Sequence, residues 1–155
     1  MSAPVNVLRQ YCTFTLDGLL FGVDVSTVQE VIRFQEMTEV PLAHRVVRGL
    51  INLRGQIVTA LDLRRRLDLP ERQDGEQPMN IVVRTEDGAV SFLVDDIGDV
   101  VEVDGSLFER PPETLRGTAR SLILGAHKLE RSLLLVLDTA RAAQLKEDAT
   151  DDRVM

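Results

Sequence analysis

The chain has 155 residues, a formal net charge of −7, two histidines and one cysteine. That length allows one ordinary domain or two very small ones, and a hydrophobic fraction of 44% excludes wholesale disorder. One cysteine excludes a disulfide framework or a cysteine metal cluster, and the acidic balance argues against nucleic acid, since phosphate binding needs a basic surface. No run approaches the roughly 18 apolar residues of a membrane span. Residues 1–10 lack a charged start followed by an apolar core, so a soluble cytoplasmic protein without a signal peptide is expected.

In chain order, Cys12, Phe14 and Leu16 alternate with Tyr11, Thr13 and Thr15, the period of a strand. Asp17-Gly18 then turns a hairpin into residues 19–23. Ser26 with Gln29 three residues on resembles a capping box and predicts a short helix over 27–32, with Val28, Val31 and Ile32 on one face. Residues 50–53 and 57–61 flank Arg54-Gly55, a second hairpin, and 62–69 form a short helical or extended exit. The polar stretch 70–78, with proline at both ends, marks a loop or boundary. Residues 80–84 and 89–94 flank Asp87-Gly88. A strand at 100–103, a loop at 110–113, a strand pair at 121–128 and 133–137, and a helix from Thr139 to about Lys146 capped by Asp138 complete the series. The polar end, 148–155, is expected to fray.

The halves resemble each other. Each opens with an Asp-Gly hairpin, and each closes with a glycine followed 13 positions later by an aspartate: Gly49 and Asp62, then Gly125 and Asp138. An internal duplication accounts for this. About five short strands per 70 residues predict small closed barrels, one over about 10–70, with the C-terminal helix packing back on it, and one over 79–145. Residues 133–137 are apolar on both faces, so their outer side must be covered by the sister barrel, a helix or a partner.

Chemical motifs are missing. There is no Gly-x-x-x-x-Gly-Lys or Gly-x-Gly-x-x-Gly phosphate loop, and His44 and His127 lack metal-ligand spacing. Cys12 reads as core, His44 as a loop residue, His127 as a satisfied polar group near a strand end, and Ser26 as a cap. Asp95 and Asp96 point to opposite faces and do not form an acid-base pair. Glu147, Asp148, Asp151 and Asp152 read as a solvated end. Arg64, Arg65 and Arg66 read as a solvated helix face, with a minor electrostatic contact to a partner as the alternative. The balance favours a binding module.

The run from Gly49 to Val58, Gly-Leu-Ile-Asn-Leu-Arg-Gly-Gln-Ile-Val, followed by Leu61-Asp62-Leu63-Arg64, resembles the signature of CheW-type chemotaxis coupling proteins. Phe21-Gly22-Val23-Asp24-Val25 leading into Val28-Gln29-Glu30-Val31, Phe92-Leu93-Val94-Asp95 before Asp99-Val100, and the run from Leu133 to Asp138 support it, over roughly residues 10–145. Thr59 stands where many relatives have proline. The resemblance implies a mainly β fold of two tandem SH3-like five-stranded barrels packed side by side, with short helices and a C-terminal helix. It implies a non-enzymatic adaptor, without cofactor or metal, between chemoreceptor tips and the CheA histidine kinase, clustered beneath the membrane and able to contact its own copies in array rings. Receptor binding would fall to Val28, Glu30, Arg54 and Val100. Kinase binding would fall to Val23, Val25, Arg110 and Glu113. Arg54 could equally brace its own turn against a carboxylate. No receiver, ATP-binding or phosphotransfer segment is present, so neither a CheV-type fusion nor the kinase itself is expected. Two alternatives remain: a kinase-binding regulator without receptor affinity, and a ligand-binding or hydrolytic barrel that would need Asp24, Asp95 and His127 to converge.

Overall fold

Period-two patterning builds ten strands in the computed structural model, which describes residues 7–145. The expected tail at 148–155, and the carboxylates Glu147, Asp148, Asp151 and Asp152, lie outside the described residues. Strands β1 (Leu8–Leu16) and β2 (Leu19–Asp24) form a hairpin whose turn residues, Asp17 and Gly18, both have positive φ. Next come β3 (Val28–Ile32), the hairpin of β4 (Val47–Leu53) and β5 (Gln56–Asp62), and a single helical turn, α1 (Leu63–Arg66). Strands β6 (Met79–Thr85) and β7 (Gly88–Val94) turn at Glu86 and Asp87, one residue earlier than expected, and β8 (Asp96–Asp104) follows. Helix α2 (Gly117–Ser121), strands β9 (Ile123–Lys128) and β10 (Leu133–Leu137), and helix α3 (Thr139–Ala143) complete the described chain. No described helix is long and apolar enough to cross a membrane.

The helix expected over 27–32 is a strand. Only a 3-10 turn, Val25–Thr27, precedes it, and the cap is Asp24 rather than Ser26: Asp24 Oδ1 accepts from the Ser26 amide at 2.9 Å and its hydroxyl at 2.7 Å. Val28, Val31 and Ile32 are β-branched and pair with Val83, Ile81 and Asn80 of β6. Branching at Cβ favours the pleated surface once a partner strand is available. Ser121 likewise belongs to α2, and the following strand begins at Ile123.

Two five-stranded sheets result, ordered β8-β1-β2-β10-β9 and β3-β6-β7-β5-β4. This overturns a division into consecutive barrels at 10–70 and 79–145. One sheet is the continuous middle of the chain, β3 to β7. The other joins the first two strands to the last three. The duplication is visible in the strand orders: β1-β2 corresponds to β6-β7, β3 to β8, and β4-β5 to β9-β10. Each repeat therefore keeps its opening hairpin in one sheet and sends its other three strands to the sister sheet. Parallel pairing of β2 with β10 and of β5 with β7 seals the exchange.

The glycine and aspartate that mark each repeat have the same tasks in both. Each sheet is closed by an isolated bridge, Thr38 to Leu50 in one and Glu109 to Ala126 in the other, with N–H to O distances of 2.8–2.9 Å. Gly49 and Gly125 adjoin these bridges. A Cβ on Gly49 would lie 2.6 Å from the Thr38 carbonyl oxygen, and one on Gly125 would strike the Phe108 ring and the Glu109 carbonyl. Asp62 and Asp138 cap α1 and α3, and their own amides donate at 2.8 Å to Val46 and Leu122, each 16 residues earlier.

The largest apolar cluster lies between the sheets. It takes Phe14, Leu16, Phe21 and Val23 from one, Leu61, Ile81, Phe92 and Val94 from the other, and Leu63, Leu67 and Ala142 from the helical segments. Smaller clusters fill each sheet's own concavity: Ile51, Leu53, Val58, Ala60, Val82 and Leu93 in one, Tyr11, Leu134 and Val136 in the other. This explains the doubly apolar β10. Leu134 and Val136 face the inside of their sheet, while Leu135 and Leu137 face the shared core.

Adding one methyl group at either closure should therefore be costly. Gly49→Ala and Gly125→Ala are each expected to lose about 1–3 kcal/mol, read as a lower urea midpoint, with Gly125→Ala the worse because an aromatic ring and a backbone carbonyl must both yield.

Candidate functional site

The receptor-face candidates occupy strands at the margins of the two sheets. Val28 and Glu30 lie on β3, Val100 on β8, and each of these strands stands at one end of its sheet order. Arg54 is in the β4–β5 turn at positive φ, a turn held by Asn52 Oδ1, which accepts from the Gly55 amide at 2.9 Å. Its guanidinium donates to Glu30 Oε2, so β3 and the β4–β5 turn meet although they begin at opposite ends of the sheet order. The Arg54 side chain is still 74% exposed and Glu30 20%, which leaves most of the guanidinium's donors facing solvent. Bracing and presentation are thus the same arrangement. Val28 is half-buried against the shared core, and Val100, opposite Cys12, is 54% exposed on the other sheet.

The kinase-face candidates divide. Val23 is fully buried in the shared core and cannot touch a partner without unfolding, which corrects its assignment as a contact residue. Its side chain lies on the face of β2 that meets the sister sheet, and that sheet covers it. Val25 is half-buried in the 3-10 turn after β2, while Arg110 and Glu113 are exposed in the segment after the Glu109 bridge.

Asp24, Asp95 and His127 do not converge. Asp24 and His127 line one cleft of about 380 Å³ with Arg9, Tyr11, Phe108 and Leu124. Asp95 is instead held by Arg64, with Nε to Oδ1 at 2.9 Å and Nη2 to Oδ2 at 2.6 Å, by Arg72 Nε at 3.2 Å, and by the Asp17 amide at 2.9 Å. Burial works to raise the Asp95 pKa, but the bonds from Arg64, the Asp17 amide and Arg72 outweigh it and hold the carboxyl below the usual range. The hydrolytic alternative loses its constellation. For Cys12, burial, then the Asp24 charge, push the thiol pKa up, which disfavours the nucleophilic thiolate.

The arginine run is not a solvated face. The Arg64 side chain is 11% exposed; Arg65 bonds Glu71 at 3.1–3.2 Å and the Arg45 carbonyl at 2.8 Å; Arg66 donates to the carbonyls of Arg141 and Ala142 at 2.9 Å. Three adjacent residues on a single helical turn diverge and brace three different segments. Sequence reasoning missed Arg72, whose place in a polar loop gave no sign that it folds back on Asp95. His127 is also corrected. It is 2% exposed between Tyr11 and Phe108, with ring centroids 5.8 and 5.1 Å away, and its Nε2 has no hydrogen-bond partner.

The chain that builds this sheet pair matches the family model of the CheW-like domain over residues 10–147. The chain belongs to the CheW-like family. It is 31% identical over 149 residues to the chemotaxis protein CheW of Bacillus subtilis, covering 96% of this chain and 95% of that one. It is 29% identical over 142 residues to that of Treponema pallidum, covering 89% and 84%. The crystal structure of the scaffolding protein TtCheW from Thermoanaerobacter tengcongensis superposes with a TM-score of 0.81 at 22% identity, over 92% of this chain and 97% of that one. The fold is thus the pair of SH3-like barrels of CheW, and the CheW-like chain is a chemotaxis coupling adaptor, not an enzyme.

His127 sets a pH dependence in this domain. Burial lowers its pKa below the ordinary value, with Asp104 and Glu109 opposing only in part. The unfolded chain, at about 6.5, then takes up a proton before the folded one does, so stability falls as pH drops below that value. Urea unfolding from pH 7 to pH 5 should show this loss, and His127→Phe, which keeps a ring in place but cannot titrate, should flatten it.

Proposed function

We propose that this chain couples the cytoplasmic tips of chemoreceptors to a CheA-type histidine kinase, in the cytoplasm beneath receptor arrays. The observation that carries the reading is the Glu30–Arg54 pair, exposed on the arginine side and set beside Val28, with Val100 open on the other sheet. An arginine with free donors recognises carboxylates and carbonyls of a helical tip, and the two valines supply apolar contact. The kinase contact falls to the half-buried Val25 and to the exposed Arg110 and Glu113. Each contact is modest, and the many copies of an array supply avidity.

Titration against a receptor helical-hairpin fragment tests this. Arg54→Ala and Val100→Asp are each expected to weaken binding by about 1–2 kcal/mol while the thermal midpoint stays near that of the parent and kinase regulatory-domain binding is retained. Arg110→Glu with Glu113→Lys should do the reverse. Receptor binding unchanged in both single variants would remove the face assignment, and kinase binding without any receptor binding by the parent would favour a stand-alone regulator.

A further inference from the structure

The chain crosses between its sheets at two equivalent places that are built differently. It leaves β2 for β3 after Phe21-Gly22-Val23-Asp24, and leaves β7 for β8 after Phe92-Leu93-Val94-Asp95. The two aspartates occupy corresponding positions in the repeats. Asp24 caps a 3-10 turn, and the side-chain bonds to its crossing from β6 come from Arg84 Nη1, at 3.4 Å to the Ser26 carbonyl and 3.5 Å to that of Val28. Those distances are at the long limit of a hydrogen bond. Asp95 has no turn after it. It passes directly into β8 and is gripped at both oxygens by the Arg64 fork, by Arg72 and by the amide of Asp17.

The partner on the helix side differs too. Asp62-Leu63-Arg64 corresponds to Asp138-Thr139-Ala140, so the second repeat has alanine where the first has the gripping arginine. The clamp therefore breaks the internal symmetry. It also spans the sheets. Arg64 follows β5 in one sheet, while Asp17 lies in the β1–β2 turn of the other, and Asp95 is the residue between them. The apolar core shared by the sheets is large but non-directional. A bidentate guanidinium–carboxylate pair fixes distance and angle together.

We propose that Arg64 and Asp95 are positioning residues for partner binding: they fix β8, which carries Val100, against the sheet that carries Val28, Glu30 and Arg54. The proposal rests on the receptor face argued above, yet the geometry can be tested without a receptor. Spin labels placed through Glu102→Cys on β8 and Gln56→Cys in the sister sheet, in a Cys12→Ala background of the full chain, report the inter-sheet distance by pulsed electron resonance. Both label sites are exposed. Arg64→Lys keeps the charge but loses the fork, and Asp95→Asn loses the charge. Either is expected to broaden or shift the distance distribution, whereas Arg65→Lys, whose parent side chain faces Glu71, should not. Arg64→Lys is the milder change and keeps the test decisive if Asp95→Asn does not fold. A distribution identical to the parent in the folded variants overturns the proposal. Receptor-fragment affinity should fall in step, on the order of tenfold. A broadened distribution with undiminished affinity would likewise overturn the positioning role, whereas failure of the receptor-face reading shows separately, as affinity unchanged in Arg54→Ala and Val100→Asp.

Discussion

Neither sheet of this protein can be stable without the other, because the most apolar surface each one makes is its outer side. The inward clusters are small, in one sheet Tyr11, Leu134 and Val136, whereas Phe14, Phe21, Leu61, Phe92, Leu135 and Leu137 all meet between the sheets. A barrel of about five short strands buries too little in its own interior. The exchange of strands between repeats makes the association covalent in effect. Separating the repeats would require β10 to leave β2, and β7 to leave β5, as well as exposing the core.

That constraint decides which residues are left for partners. The two inward faces and the two inter-sheet faces are filled, and Val23, apolar and attractive as a contact, is consumed by the core. What remains outside are strands at the margins and the turns between them. The Glu30–Arg54 pair shows how such a margin can be ordered and available at once. One carboxylate oxygen holds the arginine, and the rest of the guanidinium faces solvent. Nothing of this kind makes or breaks bonds, and the buried polar groups serve the fold. Ser91 donates to Asn80 at 2.7 Å inside one sheet, and Asn80 in turn donates to the Arg33 carbonyl at 3.1 Å.

Charge is used asymmetrically in a molecule whose backbone is nearly duplicated. The three arginines of α1 reach the Asp95 crossing, the 71–72 loop and the end of α3, while the equivalent helix α3 has a single arginine, Arg141, bonded to the Ser121 carbonyl at 3.1 Å. The network around Asp95 is partly exposed, so its contribution is directional more than large. His127 is the opposite case: an isolated polar atom enclosed by aromatic rings, neutral because nothing around it compensates a charge fully.

Local chemistry along the chain determined the strands other than β3, three of the hairpins, the aspartate cap of α3, the duplication, and, through the Asn-Leu-Arg-Gly and Leu-Asp-Leu-Arg runs, the family. These follow from interactions between near neighbours: alternation, turn conformations that need positive φ, and carboxylates that meet free amides two or three residues on. Only the tertiary structure decided which repeat each strand serves, because a swapped and an unswapped pairing satisfy the same alternation. It turned 27–32 into a strand by supplying β6 as a neighbour, buried Val23, and brought Arg64 and Arg72 onto Asp95 as a clamp. Those outcomes depend on groups 20 to 80 positions apart, whose meeting is set by the packing of whole sheets rather than by any short-range preference.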